Sequence, residues 1–450
     1  MAGKIKYICS ECGYTSPKWL GKCPNCDTWG SFEEEIDIKK TLSKINTADA
    51  ELLKLEDIEL GKEFRLVTKF NEFDRVLGGG LVRGEVVLIS GNPGIGKSTF
   101  LLQLMDEYSK TGNVFYISGE ESLRQIKQRA DRLNVKSKTL YLMNETNLEK
   151  IETIVLKENP KVVVLDSIQT LYSENANSMP GSVTQIRETT LKIIEIAKTK
   201  EISFFIVGHI TKDGKVAGPK LLEHMVDAVV QMDGEENNFY RIIRTLKNRF
   251  GSTNEISIFD MKEDGISEIT NPSEFFISER EEKNIGSIIT PILEGSRVFL
   301  FEVQSLLTHT SFGLPRRIIE GFDKNRVEIL GAILGKFLKI DLSTKDIFIN
   351  IPGGLTLKDR SSDLAVIFSL VSSINGLAVS QKIAAVGELG LRGEIRRVSF
   401  IKNRVKELEK LGFKGVYLPR ANEKDLESEK FKIKLIYLKN IEELIERVKK

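Results

Sequence analysis

A phosphate-loop motif constrains the fold of this 450-residue chain more than any other feature of its sequence. The stretch GNPGIGKST (91–99) fits the pattern G-x4-G-K-[ST]; the apolar run VVLIS precedes it, and the amphipathic stretch STFLLQLMDEYSK begins at Ser98. Glycines let backbone N–H groups curl around a phosphate, and the following helix points its positive end at the same anion. Strand, loop and helix in this order indicate a nucleotide-phosphate site in an α/β domain rather than an ordinary glycine-rich turn.

The motif predicts ATP and Mg²⁺ as cofactors, because its polar residues match the parts of a bound nucleotide. Lys97 is expected to reach the β- and γ-phosphates, and the Ser98 hydroxyl is expected to ligate the magnesium ion. The loop as a whole forms the predicted nucleotide-binding set, which is Gly91, Asn92, Pro93, Gly94, Ile95, Gly96, Lys97, Ser98 and Thr99.

Carboxylates follow two other strand-like runs. KVVVLD ends at Asp166, where nucleoside-triphosphate hydrolases place a second residue of the magnesium site, although a helix cap is the alternative. VFYISGEES places Glu120 and Glu121 just past another strand, where one of them is a candidate base for the attacking water. The residues alone leave open which of the two it is.

All four cysteines lie near the start of the chain, with C-x2-C spacing in each of two pairs: Cys9, Cys12, Cys23 and Cys26. Four thiolates in a tetrahedron suit Zn²⁺, and a site closed by four protein sulfurs is structural rather than catalytic. Two disulfides or a redox CxxC are the alternatives. The opening MAGKIKYI has no long apolar run typical of a signal peptide, so we expect a reducing cytoplasm, where disulfides are disfavoured.

Composition excludes some classes of protein. The 66 basic and 64 acidic residues give a net charge of +2, so any contact with nucleic acid must use local patches. No stretch approaches 18 apolar residues, so no transmembrane helix and no membrane partner are expected. Three histidines leave little room for a histidine-based metal site.

Patterning divides the chain into five segments. Between 63 and 270, short apolar runs alternate with helical stretches, which indicates a mostly parallel sheet covered by helices. The predicted segments are a zinc ribbon (1–32), a charged linker (33–62), this α/β domain (63–270), a polar linker (271–284) and a third domain of mixed strands and helices (285–450).

Two loops of the α/β domain are candidates for contact with DNA. TKDGKVAGPK follows the run SFFIVGHI and carries Lys212, Lys215 and Lys220, which suit a phosphate backbone. SENANSMPGS (173–182) follows the strand that ends at Asp166. Both leave the same end of the sheet as the phosphate loop. The alternative is that both are simply solvated loops.

These motifs, in this order, resemble the RadA/Sms family of bacterial DNA repair and recombination proteins, whose core is a RecA-like ATPase. The resemblance spans essentially the whole chain. It implies an α/β fold with a RecA-like P-loop ATPase core, an N-terminal zinc ribbon and a C-terminal Lon-protease-like α+β domain. The stretches that carry it are CPNCDTWGSF, NEFDRVLGGGLVRGEVVLISGNPGIGKST, YISGEES, VVVLDSIQT, GHITKDGKVAGPKLLEHMVD and LKNRFG.

The resemblance implies a homo-hexameric ring, similar to DnaB-type helicases, that hydrolyses ATP to move along single-stranded DNA. It implies action on branched recombination intermediates alongside RecA. ATP would sit between subunits, and Lys247 and Arg249 of LKNRFG would reach a neighbour's γ-phosphate as cationic fingers. The RecA-like pattern favours Glu120 over Glu121 as the base. A recombination scaffold gated by ATP, without unwinding activity, is the alternative function.

The stretch IFINIPGGLTLKDRSSDLAVIFSL (347–370) resembles the Lon protease domain and places Ser362 at the nucleophile. In GELGLRGEIRRVSF (387–400), alignment by eye puts Val398 at the position of the partner lysine. A serine without its base is a weak nucleophile, so we expect a Lon fold without protease chemistry.

Two more surfaces are left open by the sequence. A basic run after Gly390 is either a DNA-facing patch or a solvated helix face; it comprises Arg392, Arg396, Arg397, Lys402, Arg404 and Lys406. The ribbon, joined to the core by a charged linker, is interpreted as a docking device. By the family resemblance its partner is RecA or DNA.

Overall fold

The computed structural model describes residues 4–9, 11–37, 64–209, 219–234, 240–253, 255–277, 283–310, 314–339, 342–352 and 356–448. The chain forms two units, residues 1–268 and 269–450. The first contains the ribbon and the α/β domain, and the second contains the third predicted domain. Within the described residues, no helix is both long enough and apolar enough to cross a membrane.

The ribbon is a small antiparallel sheet with strand order β2-β1-β3. Its strands are β1 (Lys4–Cys9), β2 (Thr15–Ser16) and β3 (Phe32–Asp37). Each cysteine pair sits in a tight turn: the N–H of Gly13 donates to the Cys9 carbonyl, and that of Asp27 donates to the Cys23 carbonyl, both at 2.9 Å. Strand β3 extends into the segment predicted as a linker, and the rest of that linker (38–62) lies outside the described residues.

The α/β domain alternates strands and helices along most of its length. Its elements are β4 (Arg65–Leu66), α1 (Asn71–Val76), β5 (Leu81–Val82), β6 (Val86–Gly91), α2 (Lys97–Tyr108), β7 (Val114–Ser118), α3 (Leu123–Arg132), β8 (Leu140–Asn144), α4 (Leu148–Glu158), β9 (Val162–Asp166), α5 (Val183–Lys200), β10 (Ser203–His209), α6 (Pro219–Met225), β11 (Ala228–Asp233), β12 (Tyr240–Asn248), β13 (Ile256–Lys262) and β14 (Gly265–Glu268).

These strands form one nine-stranded sheet in the order β14-β13-β12-β11-β6-β10-β9-β7-β8. The six strands from β11 to β8 in that order run parallel, and β12, β13 and β14 continue the sheet in antiparallel fashion. Strands β6, β7 and β9 are buried along their whole length, which fits their continuous apolar, β-branched sequences. Apolar clusters cover both faces of the sheet. Because the six strands from β11 to β8 are parallel, their carboxyl ends all lie along one edge of the sheet.

The second unit is an α+β domain around a seven-stranded sheet in the order β18-β19-β17-β16-β21-β24-β25. Its elements are α7 (Pro272–Ile277), β15 (Lys283–Ile285), β16 (Ser287–Glu294), β17 (Arg297–His309), β18 (Arg317–Glu320), α8 (Lys324–Leu338), β19 (Lys345–Asn350), α9 (Asp363–Asn375), β20 (Ala378–Ser380), β21 (Ile383–Ala385), β22 (Glu388–Leu389), β23 (Ile395–Arg396), α10 (Ile401–Lys410), β24 (Gly415–Pro419), α11 (Glu423–Leu426), β25 (Lys434–Leu438) and α12 (Ile441–Val448).

The segment 271–284, predicted as a polar linker, contains helix α7 and the start of β15. The Ser273 hydroxyl of α7 is buried and accepts the N–H of Leu300 on β17 at 3.1 Å. At least this part of the segment therefore packs as part of the second unit. The other domain bounds stay predictions.

Candidate functional site

The phosphate loop connects β6 to α2 and is built on two glycines that no other residue could replace without strain. A Cβ at Gly91 would lie 2.4 Å from the Met232 carbonyl oxygen of β11. Gly96, which caps α2, has φ +110°, a left-handed conformation, and a Cβ there would meet Met261. These two glycines therefore allow the tight loop conformation that a phosphate-binding loop between a strand and a helix requires.

Lys97 is the first residue of α2, and its side chain folds back over the loop. The ammonium donates to the carbonyls of Gly91 at 2.8 Å and Asn92 at 2.9 Å, and only 4% of the residue is exposed. Burial lowers the pKa of Lys97 to about 8, although the nearby carboxylates of Asp166 and Glu120 oppose the shift. The loop thus holds a cation among two carbonyls and two carboxylates, where an incoming phosphate would be its strongest partner.

Asp166 ends β9 at the edge of the sheet next to the loop and is 5% exposed. The Tyr116 hydroxyl donates to Asp166 Oδ2 at 2.6 Å and is also in hydrogen-bond contact with Ser98. Burial and the Asp166 carboxylate raise the pKa of Tyr116 well above its usual range, so the hydroxyl stays protonated and remains a donor. Ser98 and Asp166 therefore face one point, and their oxygens are the ligand type that Mg²⁺ prefers.

Glu120 and Glu121 follow β7 but have different surroundings. The Glu121 carboxylate is held by both terminal nitrogens of Arg129, at 2.6 and 2.8 Å. The Glu120 carboxylate accepts the hydroxyl of Ser167, the residue after Asp166. Since Glu121 is committed to an arginine on α3, this geometry favours Glu120 as the base, and its role stays a prediction.

Two residues that brace this site were missed by the sequence analysis. Tyr116 reads as an ordinary apolar residue of a buried strand, and only the pairing of Ser118 with Asp166 brings its hydroxyl to the carboxylate. Arg241 on β12 is buried, and its Nε donates to the Ile95 carbonyl of the phosphate loop at 2.9 Å. Both contacts join segments far apart in sequence, so no local pattern reveals them.

Lys247 and Arg249 lie at the other end of the sheet. Strand β6 begins beside Asp227 and Ala228 and ends at Gly91, which pairs with Met232. The N–H of Arg249 donates to the Asp227 carbonyl, whereas Gly91 of the phosphate loop pairs with Met232. Arg249 and the phosphate loop are therefore five residues apart along β11. At about 3.3 Å per residue this offset is about 16 Å, more than an arginine side chain spans. The structure therefore does not bring Arg249 to the chain's own phosphate loop, and the Lys247 ammonium is bonded instead to the carbonyls of Glu223 and Val226.

The two predicted DNA loops differ in how much of them is described. Lys212, Lys215 and the side chain of Lys220 lie outside the described residues. The loop SENANSMPGS is fastened by buried Gln185, whose amide donates to three of its carbonyls at 3.0–3.1 Å. Met179 at its tip is 80% exposed. This loop is therefore anchored at its base and open at its tip.

The four cysteine sulfurs all lie within 4.8 Å of one another, and none is in a disulfide. Cys9 Sγ is 3.6 Å from Cys26 Sγ, and Cys12 Sγ is 3.5 Å from Cys23 Sγ. Zinc–sulfur bonds of about 2.3 Å in a tetrahedron require sulfurs about 3.8 Å apart. The spacing fits Zn²⁺ and contradicts the disulfide alternative.

Ser362 in the second unit is fully buried, and its hydroxyl donates to the Asp359 carbonyl at 2.6 Å. Val398 packs in the apolar core. The cation at this turn is Arg404, which donates to Ser361 Oγ at 2.8 Å and to Asp359 Oδ2 at 2.7 Å. A guanidinium stays protonated in proteins and cannot act as a base. The environment of Ser362 thus offers no described group that would activate it.

The reading of the basic run as a DNA-facing patch is wrong for Arg404, which is 1% exposed and forms part of the core. Four other residues of the run are ion-paired: Arg396 with Glu394, Arg397 with Asp425, and Lys402 and Lys406 with Glu429. Acidic side chains therefore neutralise much of the charge that makes the run look basic in sequence.

Replacing Ser362 by alanine is expected to leave ATP turnover and DNA binding unchanged. The lost hydrogen bond to a buried carbonyl should cost about 1–3 kcal/mol of unfolding free energy. Ser361→Ala, which removes a contact of the buried Arg404, provides the matched control for stability. Labelling of Ser362 by a serine-reactive probe, or peptide cleavage that the alanine variant lacks, would contradict this prediction.

Three family models match the chain: a rubredoxin metal-binding domain (residues 7–34), an AAA domain (51–215) and the Lon protease C-terminal proteolytic domain (336–449). The first and second support zinc binding and ATP hydrolysis. The third matches the fold of the second unit, which nevertheless places Arg404 beside the serine turn.

Curated relatives match along nearly the full length. The chain is 48% identical to the DNA repair protein RadA of Bacillus subtilis and 47% identical to that of Halalkalibacterium halodurans, in each case over 93% of both chains. It is 45% identical to the RadA of Aquifex aeolicus over 98% of both chains. Among solved structures, a KaiC-like protein of Pyrococcus horikoshii matches 46% of this chain and 99% of its own, at 21% identity and a TM-score of 0.39.

Proposed function

The chain belongs to the family of the DNA repair protein RadA, and on that basis we propose that it is a ring-forming ATPase and DNA helicase. In this proposal a homo-hexamer translocates on single-stranded DNA and promotes branch migration of recombination intermediates together with RecA. The observation that carries it is the distance between the phosphate loop and the cations Lys247 and Arg249. A site assembled from two subunits reconciles that distance with a role in hydrolysis.

At the phosphate loop, each residue has a proposed task set by its surroundings. The backbone from Gly91 to Thr99 would hold the phosphates, and Ser98 and Asp166 would hold Mg²⁺, which supplies charge neutralisation when bound with ATP. Lys97 would exchange its two carbonyl partners for phosphate oxygens. Glu120 would accept a proton from the attacking water.

Lys247 and Arg249 would complete this site from the neighbouring subunit. They lie at the edge of the sheet opposite the phosphate loop, so a subunit that presents its loop on one side presents these cations on the other. Head-to-tail packing of identical subunits would then place each pair of cations against the next subunit's loop. A cation that meets the γ-phosphate in this way stabilises charge in the transition state.

Mixing Lys97→Ala protein with Arg249→Ala protein is expected to restore part of the ATP turnover that each lacks alone. In mixed rings, some interfaces combine an intact loop from one subunit with intact cations from the other. Turnover is measured across a range of mixing ratios. Each variant mixed with itself provides the control.

Subunit exchange must be shown independently, for example by energy transfer between differently labelled subunits. Exchange without any recovery of turnover would count against a shared site. Full activity of Arg249→Ala alone would remove its role in hydrolysis.

DNA would contact loops that leave the sheet at the same edge as the phosphate loop. Lys212, Lys215 and Lys220 would follow the phosphate backbone of single-stranded and branched DNA. The anchored loop SENANSMPGS leaves the same edge and would lie beside them. The partner of the ribbon would be RecA or DNA, and its four reduced thiols favour a cytoplasmic location.

Single-stranded DNA is expected to stimulate ATP turnover, and the stimulated enzyme is expected to unwind a forked duplex. Replacing the three lysines by alanine together should weaken DNA binding for all sequences and flatten the plot of log affinity against log salt by about 0.7 per lost phosphate contact. Stimulation by DNA should fall with affinity, relative to turnover without DNA. Stimulated turnover without any unwinding would favour the ATP-gated scaffold instead. An unchanged salt dependence of DNA affinity would show that these three lysines do not contact the DNA phosphates.

A further inference from the structure

Asp227 lies between α6 and β11, is only 3% exposed, and receives hydrogen bonds from three other segments of the chain. Its carboxylate accepts the Lys198 ammonium at 2.7 Å, the Val86 N–H at 3.0 Å and the Arg249 guanidinium at 3.3 Å. Its backbone carbonyl accepts the N–H of Arg249 at 3.1 Å. The residue therefore holds both the backbone and the side chain of Arg249.

The rest of the stretch KNRFG (247–251) is fastened to the same place. The Lys247 ammonium donates to the carbonyls of Glu223, His224 and Val226 at 2.7–3.0 Å, at the end of α6. Lys198 lies 5.6 Å from the centre of the Phe250 ring. Gly251 packs so tightly on Gly78 that a Cβ there would lie 2.8 Å from its Cα. Lys247 and Arg249 therefore lie on a segment, residues 247–251, that is held in place by contacts along its length.

Through Asp227, this segment is joined directly to β6, the strand that leads into the phosphate loop. The Val86 N–H, held by the Asp227 carboxylate, is the first of β6, and the Val86 carbonyl accepts the N–H of Asp227 at 3.0 Å. Strand β6 then runs without interruption to Gly91. One carboxylate therefore connects the segment that bears Arg249 to the start of this strand.

We propose that Asp227 is a positioning residue for Arg249, which it aims at the neighbouring subunit's nucleotide. The inference rests on the proposed function, because it presumes that Arg249 acts across an interface. Arg249 is more than half exposed beyond Asp227, so its guanidinium has one buried anchor and an open side. Loss of the anchor leaves the cation present but free to swing, and misplacement of a catalytic group by about 1 Å costs on the order of 100-fold in rate.

The test is Asp227→Asn, which keeps the shape of the side chain and removes its charge. Alone, it is expected to lower ATP turnover by roughly 10- to 100-fold with KM for ATP nearly unchanged. Mixed with Lys97→Ala, it should recover turnover, since its own phosphate loop is intact and Lys97→Ala subunits supply a well-placed Arg249. Mixed with Arg249→Ala, it should not recover, because both variants lack a well-placed cation.

The mixture of Lys97→Ala with Arg249→Ala tests the shared site by itself, independently of any role for Asp227. If that pair recovers and Asp227→Asn with Lys97→Ala does not, the role of Asp227 is overturned and the shared site stands. If that pair itself fails despite exchange, the proposed function fails first. Recovery of Asp227→Asn with Arg249→Ala would also overturn the proposal.

Stability is controlled with a matched change elsewhere. Asp346 in the second unit is a buried aspartate paired with Arg316, and Asp346→Asn is expected to keep full turnover. If Asp227→Asn does not fold, Asp227→Glu, which keeps the charge and displaces the carboxylate, takes its place in the same mixtures. Full turnover of a folded Asp227→Glu or Asp227→Asn protein would overturn the proposal.

Discussion

Lys97→Ala and Asp166→Ala are each expected to lower ATP turnover by about 100-fold or more, the scale of one lost transition-state contact. Lys97→Ala removes the cation that lies against the loop, and Asp166→Ala removes a carboxylate from the predicted magnesium site. Both residues are at most 5% exposed, so water cannot take the place of the lost charged group unless the structure changes.

The two variants should differ in how their defects respond to conditions. For Asp166→Ala, the turnover at saturating ATP should depend more steeply on Mg²⁺ concentration, because one proposed ligand is missing. For Lys97→Ala, added Mg²⁺ should not help. Steady-state turnover as a function of ATP and Mg²⁺ separates these cases.

Conservative changes provide the controls. Lys97→Met keeps the buried aliphatic stem without the charge, so it separates lost packing from the lost cation. Asp166→Asn keeps an acceptor for the Tyr116 hydroxyl while removing the negative charge. Near-normal hydrolysis by Lys97→Ala or Asp166→Ala would contradict the assignment of the site.

The sequence predicts those parts of the site whose signal is local, either within one short motif or at the end of one apolar strand. The phosphate loop needs Gly91 and Gly96 for backbone conformations that only glycine tolerates, and both lie in one motif with Lys97. Asp166 was found because a charged residue at the end of an apolar strand is conspicuous. The α/β fold was predictable for the same reason, since buried parallel strands have continuous apolar sequences.

The parts that the sequence analysis missed depend on contacts between distant segments. Tyr116 donates to the Asp166 carboxylate, Arg241 donates to the Ile95 carbonyl, and the Asp227 carboxylate accepts the Arg249 guanidinium.

 The separations along the chain are 50 residues for Tyr116 and 146 for Arg241, whereas Asp227 precedes Arg249 by only 22. In all three cases the strand order of the sheet, rather than any local pattern, brings the partners together.

Arg404 is a residue that the sequence predicts to be on the surface and that the structure buries. A run of basic residues on an amphipathic stretch is usually solvated, so sequence reasoning counted this arginine among the surface charges. Helix α10 instead turns it into the core, where the Asp359 carboxylate and the Ser361 hydroxyl satisfy its guanidinium. Charge alone does not reveal burial, because a buried arginine needs partners that only the tertiary fold supplies.

Cys9→Ser and Cys26→Ser are each expected to release Zn²⁺ and unfold the ribbon while the ATPase domain stays folded. The described apolar core of the ribbon is little more than Cys9, Cys23 and Phe32, so metal binding has to supply most of its folding free energy. A serine hydroxyl is a far poorer zinc ligand than a thiolate, and three remaining sulfurs leave the tetrahedron open.

The positions of the tryptophans make the two domains separately observable. The chain has two tryptophans, Trp19 and Trp29, and both are in the ribbon, where their rings flank Gly21. The tryptophan band of the near-ultraviolet circular dichroism spectrum therefore reports on the ribbon, and ATP turnover without DNA reports on the phosphate-loop domain. Loss of the band and of bound zinc, with turnover retained, is the expected result.

Ser31→Ala is the matched control, because Ser31 Oγ lies 3.2 Å from Cys9 Sγ and yet is not one of the four ligands. It should keep one zinc per chain and the tryptophan band, with at most a weaker affinity for the metal, since hydrogen bonds around a metal site tune its ligands. Protein purified under reducing conditions that contains no zinc would contradict the metal assignment. Zinc retained in full by Cys9→Ser or Cys26→Ser would show that these sulfurs are not ligands, and zinc lost with the tryptophan band intact would show that the ribbon folds without the metal.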